Sequence, residues 1–250
     1  DINFLKNLIA FLIFLPFVIR FNYEIESIFI FILFLSGIIG IGLGDTLYLK
    51  SLKLVGTRKT LSIEALSPLF AAFSSDLFID ERLPIKAWLG IIIVTFSIFL
   101  IIRKQTYPPI KNSKSKYKKS SLKNYLYSFL SVFCAVLAGL LSRYVFLKVE
   151  ISPLVTTEIR LLGAIIFLLV TSKCRVNFFI KDQQINEKCI FILSVLLGTN
   201  FGILLQQVVF KTLPLGIGWT LLSTSPIISL IFTKQEEGSI NICLLYTSPS

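Results

Sequence analysis

The chain is 250 residues long, 54% hydrophobic and only 16% charged, with a mean hydropathy of +0.80. A soluble domain of this length carries roughly a quarter charged residues to keep its surface wet, so composition excludes an ordinary soluble protein. The net charge of +11 does not indicate nucleic acid, because Lys and Arg sit mainly between apolar blocks, where water and lipid head groups would meet them.

A helix crossing the hydrocarbon core needs about twenty apolar residues. In chain order the sequence predicts spans over Phe4 to Ile19, closed by Arg20, then Ile28 to Leu49, Leu61 to Ile79, and Ala87 to Ile102, ended by Arg103 and Lys104. A basic Pro/Lys/Ser linker follows over 103–123, holding Pro108-Pro109 and the lysine run from Lys111 to Lys119. It cannot bury apolar surface, and it reads as a solvated tether and topology signal, with binding to anionic lipid as the alternative. Further spans are predicted over Leu126 to Val149, Pro153 to Thr171, Ile190 to Phe210 and Leu215 to Phe232, ending at Lys234. Continuous apolar runs rather than alternation make these helices, not barrel strands. The fold class is an all-α membrane protein with about eight transmembrane helices.

The chain begins at Asp1 and contains no methionine, so an upstream segment is expected to be missing. Residues 243–250 break the pattern and resemble translated vector or adapter sequence, so they read as a non-native tail to be set aside in reasoning about the fold. Histidine is absent, which removes imidazole bases, Ser-His-Asp triads and the usual metal sites. The four cysteines (Cys134, Cys174, Cys189, Cys243) form no C-x-x-C pair and imply neither a disulfide framework nor a redox centre. No catalytic residue, metal or cofactor is expected.

The two halves repeat. A gapless slide of about 158 positions sets Gly40 on Gly198, Gly44 on Gly202, Leu47 on Leu205, Lys53 on Lys211, Ser67 on Ser225 and Pro68 on Pro226. The expected organisation is a first repeat over 1–102, the linker, and a second repeat over 124–242. Internal duplication with a solute site between the repeats is how many secondary transporters are built.

The first half carries Gly37-Ile-Ile-Gly40-Ile-Gly42-Leu-Gly44-Asp45-Thr-Leu-Tyr48, then Glu64-Ala-Leu-Ser67-Pro68, Glu81-Arg-Leu and Trp88-Leu-Gly90. The second carries Arg160-Leu-Leu-Gly-Ala and Ser223-Thr-Ser225-Pro226-Ile. Together these segments resemble the EamA-type drug/metabolite transporters. The resemblance implies ten helices in two five-helix repeats, of which this chain lacks the first and the last. It also implies transport of amino acids, nucleosides, sugars or drugs.

Several residues are candidates for the solute or ion pathway. A charge at mid-bilayer costs at least about 2.5 kcal/mol and is rarely idle, which singles out Asp45, Glu64, Glu158 and Arg160. Glu64 reads as a proton or cation site, or as a counter-charge for a cationic solute, and Arg160 as a carboxylate or phosphate binder. Glu158 and Arg160 stand two apart on one helix, so each needs a partner elsewhere. Asp45, Asp76 and Arg143 have a competing reading at the head groups. Pro68 and Pro226 break their helices and free carbonyls that must face protein or a watery cavity. Ser67, Ser223, Thr224 and Ser225 beside these breaks serve either those carbonyls or a solute. Asn200, Gln206 and Gln207 supply donors and acceptors. Trp219 is either a stacking platform or an interfacial anchor, and Trp88 an anchor. The glycines at 37, 40 and 44 suit close helix packing or a sliding face.

The sequence therefore predicts a secondary active transporter or exporter of small metabolites, working by alternating access between two repeats, in a bacterial-type plasma membrane. Its partners would be a small-molecule solute and membrane lipid, with a homodimer left open and no nucleic acid. A lipid-modifying membrane enzyme and a non-transporting scaffold are the alternatives. Orientation stays open: basic loops favour a cytoplasmic linker, while the resemblance implies an external one.

Overall fold

The computed structural model describes residues 2–19, 25–104, 122–171 and 185–224. Most of the linker, the tail 243–250, Ser225 and Pro226 lie outside these residues. The described residues are almost wholly helical, with no strand among them.

The first half comprises α1 (Ile2–Val18), α2 (Ser27–Gly37), a π-helical segment (Ile38–Gly44), α3 (Asp45–Val55), α4 (Thr57–Glu64), α5 (Ser67–Ile79) and α6 (Ile85–Lys104). The second comprises α7 (Leu122–Lys148), α8 (Pro153–Thr171), α9 (Ile185–Ser194), a second π-helical segment (Val195–Phe201), α10 (Gly202–Thr212) and α11 (Leu215–Leu222). Among the described residues, five helical stretches are long and apolar enough to cross a membrane: Ser27–Val55, Lys59–Ile79, Asn124–Lys148, Pro153–Thr171 and Cys189–Thr212. Asn3–Val18 and Ile85–Leu100 are shorter apolar helices. The last expected span is described only as far as Thr224.

Burial is inverted relative to a water-soluble protein. Large apolar side chains such as Phe17, Phe73, Ile93, Phe96, Phe133 and Val170 point outward, while Asn3, Lys6, Asn7, Arg143, Glu158, Arg160, Asn200 and Gln207 are buried. Only a hydrocarbon surround rewards that arrangement. The protein is an integral, multi-pass membrane protein.

Two irregularities recur in both halves. The π-helical segments contain or adjoin the glycines matched in the slide: Gly40 and Gly44 in the first, Gly198 in the second with Gly202 just after. Each widens the span by one residue per turn; the Asp45 N–H, for example, donates to the Gly40 carbonyl five residues back. Likewise α4 stops at Glu64, two turn residues follow, and α5 begins at Ser67 with Pro68 in its first turn, where proline's missing N–H costs nothing. In the second half α11 stops at Leu222 and Ser223 and Thr224 form the corresponding turn.

The halves interlock. Helix α8 lies along α1 and α2 and against the first π-helical segment, while α1 reaches the second π-helical segment. Helix α7 fills the centre, touching α2, α3 and α5, and α11 lies along α5. The α2–α8 crossing is backbone against backbone: Gly37 abuts the Arg160 carbonyl, and Gly163 abuts that of Phe34. Removing the side chains lets the helices approach this closely, which is how association is driven where lipid removes the hydrophobic force. Ser36 Oγ adds hydrogen bonds to the Ala138 carbonyl (2.8 Å) and to the Ser142 hydroxyl (3.1 Å). The glycine row thus serves packing at every position, with Gly40 on Ala138, Gly42 on Phe167 and Gly44 beside Cys134.

Successive spans run antiparallel and gather loops at two ends. The linker end holds Lys50, Lys53 and Lys59, with Lys50 lying over the Tyr127 ring at 4.2 Å. There a hydroxyl triad of Ser51, Thr60 and Ser128 ties α3, α4 and α7 together. Between α3 and α4, Gly56 adopts φ 92°, ψ 154°, which a side chain would not tolerate.

Candidate functional site

The polar interior begins on α1. Asn3, Lys6 and Asn7, spaced for one helix face, form a buried stripe. Lys6 Nζ meets Asp45 Oδ2 at 2.7 Å. Asn3 Nδ2 donates to the Ile41 carbonyl (3.4 Å) and Thr46 Oγ1 (3.3 Å), and Thr46 Oγ1 donates to the Gly42 carbonyl (2.6 Å). Side chains thus bond two carbonyls of the first π-helical segment. Asp45 is thereby held within the bundle by an ion pair, not by head groups. Asp76 stands exposed on α5.

Asp45 also lies close enough to act electrostatically on both Glu64 and Arg160, and Tyr48 is a hydrogen-bonding neighbour of the Glu64 carboxyl. Four ionisable side chains from α1, α3, α4 and α8 therefore share one region. Ser67 Oγ caps the break beside them by donating to the Glu64 carbonyl at 2.7 Å, so its hydroxyl serves the backbone. Pro68 is buried.

Deeper in, polar atoms lack partners within the protein. Arg160 is 3% exposed, and its Nε and Nη1 have no acceptor; its Nη2 lies beside Gly40, where a Cβ would stand 3.3 Å away. Glu158 is 5% exposed with both carboxylate oxygens unpartnered. The fully buried Gln207 has neither amide atom bonded. Asn200 Nδ2 donates to the Ala10 carbonyl (3.0 Å), but its Oδ1 is free. Trp219 packs on Phe210, ring centroids 5.8 Å apart, with Nε1 near Gly139 and unpartnered. Gln206 and Ser223 are half-buried. Ile203 on α10 and Leu161 on α8 share a core cluster. One turn further toward the end opposite the linker stand Gln207 and Glu158, because the two helices run antiparallel. An unsatisfied buried polar group costs about 1–3 kcal/mol, so a concentration of them is expensive to keep.

Residues 1–103 match the EamA-like transporter family. Over this part the chain is similar to that family. No curated protein matches the chain. The EamA-like region takes in α1 to α5 and nearly all of α6, including the π-helical glycines, the Ser67-Pro68 break and Asp45. The likeness is to a family of membrane transporters.

The Glu81-Arg-Leu segment of the first half acquires a contact that the sequence did not indicate. Asp80 ends α5 in the left-handed conformation (φ 53°), and both its N–H and that of Glu81 return to the Ser75 carbonyl. This reversal brings Glu81 onto the second half. Glu81 Oε1 accepts from Arg143 Nε at 2.6 Å, and Oε2 accepts from the Leu215 N–H at 2.9 Å. Arg143 Nη1 donates to the carbonyls of Phe210 (2.8 Å) and Lys211 (2.9 Å), and Lys211 Nζ to that of Ile151 (2.9 Å). Arg143 is thus paired inside the protein, not among the head groups. Lys6, Asn3 and Asn7 were likewise overlooked, although their spacing in an otherwise apolar helix was a readable sign.

Proposed function

We propose that this protein is a secondary carrier that moves small polar metabolites across a bacterial-type plasma membrane by alternating access between its two halves. The observation that carries this reading is the set of buried, unpartnered hydrogen-bonding groups on Glu158, Arg160, Asn200, Gln207 and Trp219. A passive bundle gains nothing from holding a carboxylate, a guanidinium and an amide in oil without partners. A carrier does, because each group is satisfied when a hydrated or polar solute passes.

The roles follow from chemistry. Arg160 offers two donors suited to a carboxylate or phosphate, while its Nη2 packs beside Gly40. Glu158 offers acceptors to an ammonium or hydroxyl, Gln207 both donors and acceptors, and the Trp219 indole a donor and a flat face. Asp45, Glu64 and Lys6 form a second ionisable group toward the linker end, suited to ion coupling. Ser225 and Pro226 extend the proposed pathway by analogy with Ser67 and Pro68. The broken spans and π-helical segments place irregular backbone in the interior, where a cavity-lining role makes it tolerable.

The test is uptake and counterflow in proteoliposomes with a panel of radiolabelled amino acids and nucleosides. At least one should move above empty vesicles, and Arg160→Gln and Glu158→Gln should each cut that flux tenfold or more while the protein stays folded. If flux is unaffected by both substitutions, the pathway assignment is wrong. If nothing moves and a lipid product accumulates instead, the carrier reading gives way to an enzyme.

A further inference from the structure

We propose that Glu81 and Arg143 form a latch that closes the end of the bundle opposite the linker and must part for that end to open. This rests on the carrier reading above, and it assigns a role to the Glu81-Arg-Leu segment that the solute pathway does not use.

The geometry concentrates at one place. Glu81 lies in the loop between α5 and α6, yet its two carboxylate oxygens hold two different elements of the second half: Arg143 of α7 and the first N–H of α11. Arg143 in turn holds the last carbonyls of α10 through Nη1. Lys211, one of those carbonyl bearers, reaches across to Ile151 in the turn before α8. A single carboxylate therefore sits at the head of a chain of charge-assisted bonds spanning the α5–α6 loop, α7, α8, α10 and α11. Separation of the halves at this end has to break Glu81's bonds first.

The chemistry suits a contact that opens. Taking two charges out of water nearly cancels the attraction between them, so a desolvated ion pair near an aqueous end can part and rehydrate at small net cost. Both side chains are only 10% exposed when closed, so the pair is dry while made. The α2–α8 crossing is made without an ion pair: Gly37 and Gly163 set backbone on backbone. It suits a pivot. Along α5 and α11 the facing residues are also small: a Cβ added to Gly216 would stand 2.6 Å from that of Ala72, and the latch closes over this crossing.

The test needs no solute, which keeps it separate from the transport assay. With the native cysteines replaced by serine, a single cysteine is placed at Leu140, a buried α7 position packed in the cluster with Phe210 and Leu215. Its labelling by a membrane-impermeant maleimide is followed in the full chain in proteoliposomes. Labelling should be slow, and Glu81→Gln should speed it at least tenfold with circular dichroism unchanged. In a parallel protein carrying Glu81→Cys and Arg143→Cys, a Leu140→Cys thiol protected during bridging and then released should become unreactive. Cleaving a reducible bridge should restore its labelling. Equal labelling rates with Glu and Gln at position 81, together with no effect of the bridge, would mean a static rivet and overturn the proposal. Should Glu81→Gln fail to fold, Glu81→Asp, which keeps the charge but shortens its reach to Arg143, takes its place and should likewise speed labelling. Failure of every panel solute to move would count against the carrier reading and leave the labelling result intact.

Discussion

Gly37 sits so close to the main chain of Arg160 that a methyl group on it would overlap the Arg160 carbonyl. This contact joins α2 of the first half to α8 of the second and sets the position from which the Arg160 guanidinium reaches Gly40. Gly37→Ala should therefore push the helices apart and lower stability by at least about 2–3 kcal/mol, since backbone atoms cannot rotate away. Gly90→Ala on α6, with nothing within 4 Å of the added methyl, should leave stability unchanged or raise it slightly. Thermal unfolding in detergent, read by size-exclusion fluorescence, compares the two. Equal midpoints would refute the close crossing.

Breaking the Lys6–Asp45 pair from either side leaves a charge in a largely dry site. Lys6→Ala and Asp45→Ala should each destabilise by about 3 kcal/mol. The exchanged pair, Lys6→Asp with Asp45→Lys, should recover much of that loss. A double-mutant cycle with a coupling energy near zero would show the two groups to be independent.

Gln207 is buried with its amide unbonded, so the protein should be more stable without it. Gln207→Leu is expected to raise stability by about 1 kcal/mol, because an apolar group of similar size replaces an unsatisfied one. Under the carrier reading it should also slow flux. A loss of stability together with unchanged flux would make the amide a structural element.

Gly56 holds a conformation reserved for glycine between α3 and α4. Gly56→Ala should cost about 1–3 kcal/mol and disturb the neighbouring Ser51–Thr60 contact. Hydrogen exchange at the linker end should rise in that variant, while exchange in α8 stays the same.

What the sequence alone determined was the solvent and the rhythm of the chain. Oil requires apolar runs of fixed length, so the first seven spans could be placed to within a few residues, and Ser67-Pro68 marked the broken helix because proline acts on its own neighbours. The identity of the buried charges was also legible, since Glu158 and Arg160 stand out against apolar surroundings. Their partners were not. Lys6 and Asp45 meet across 39 positions and Arg143 and Glu81 across 62, and nothing local distinguishes a paired charge from one at the head groups. The π-helical segments escaped for a related reason: a widened turn is stabilised by what packs around it, here α7 and α8 on the first and α1 on the second, and not by any residue's own preference. Only the tertiary structure decided which polar groups were satisfied and which were left facing the interior, because hydrogen bonding between helices depends on rotation and depth that a one-dimensional pattern does not carry.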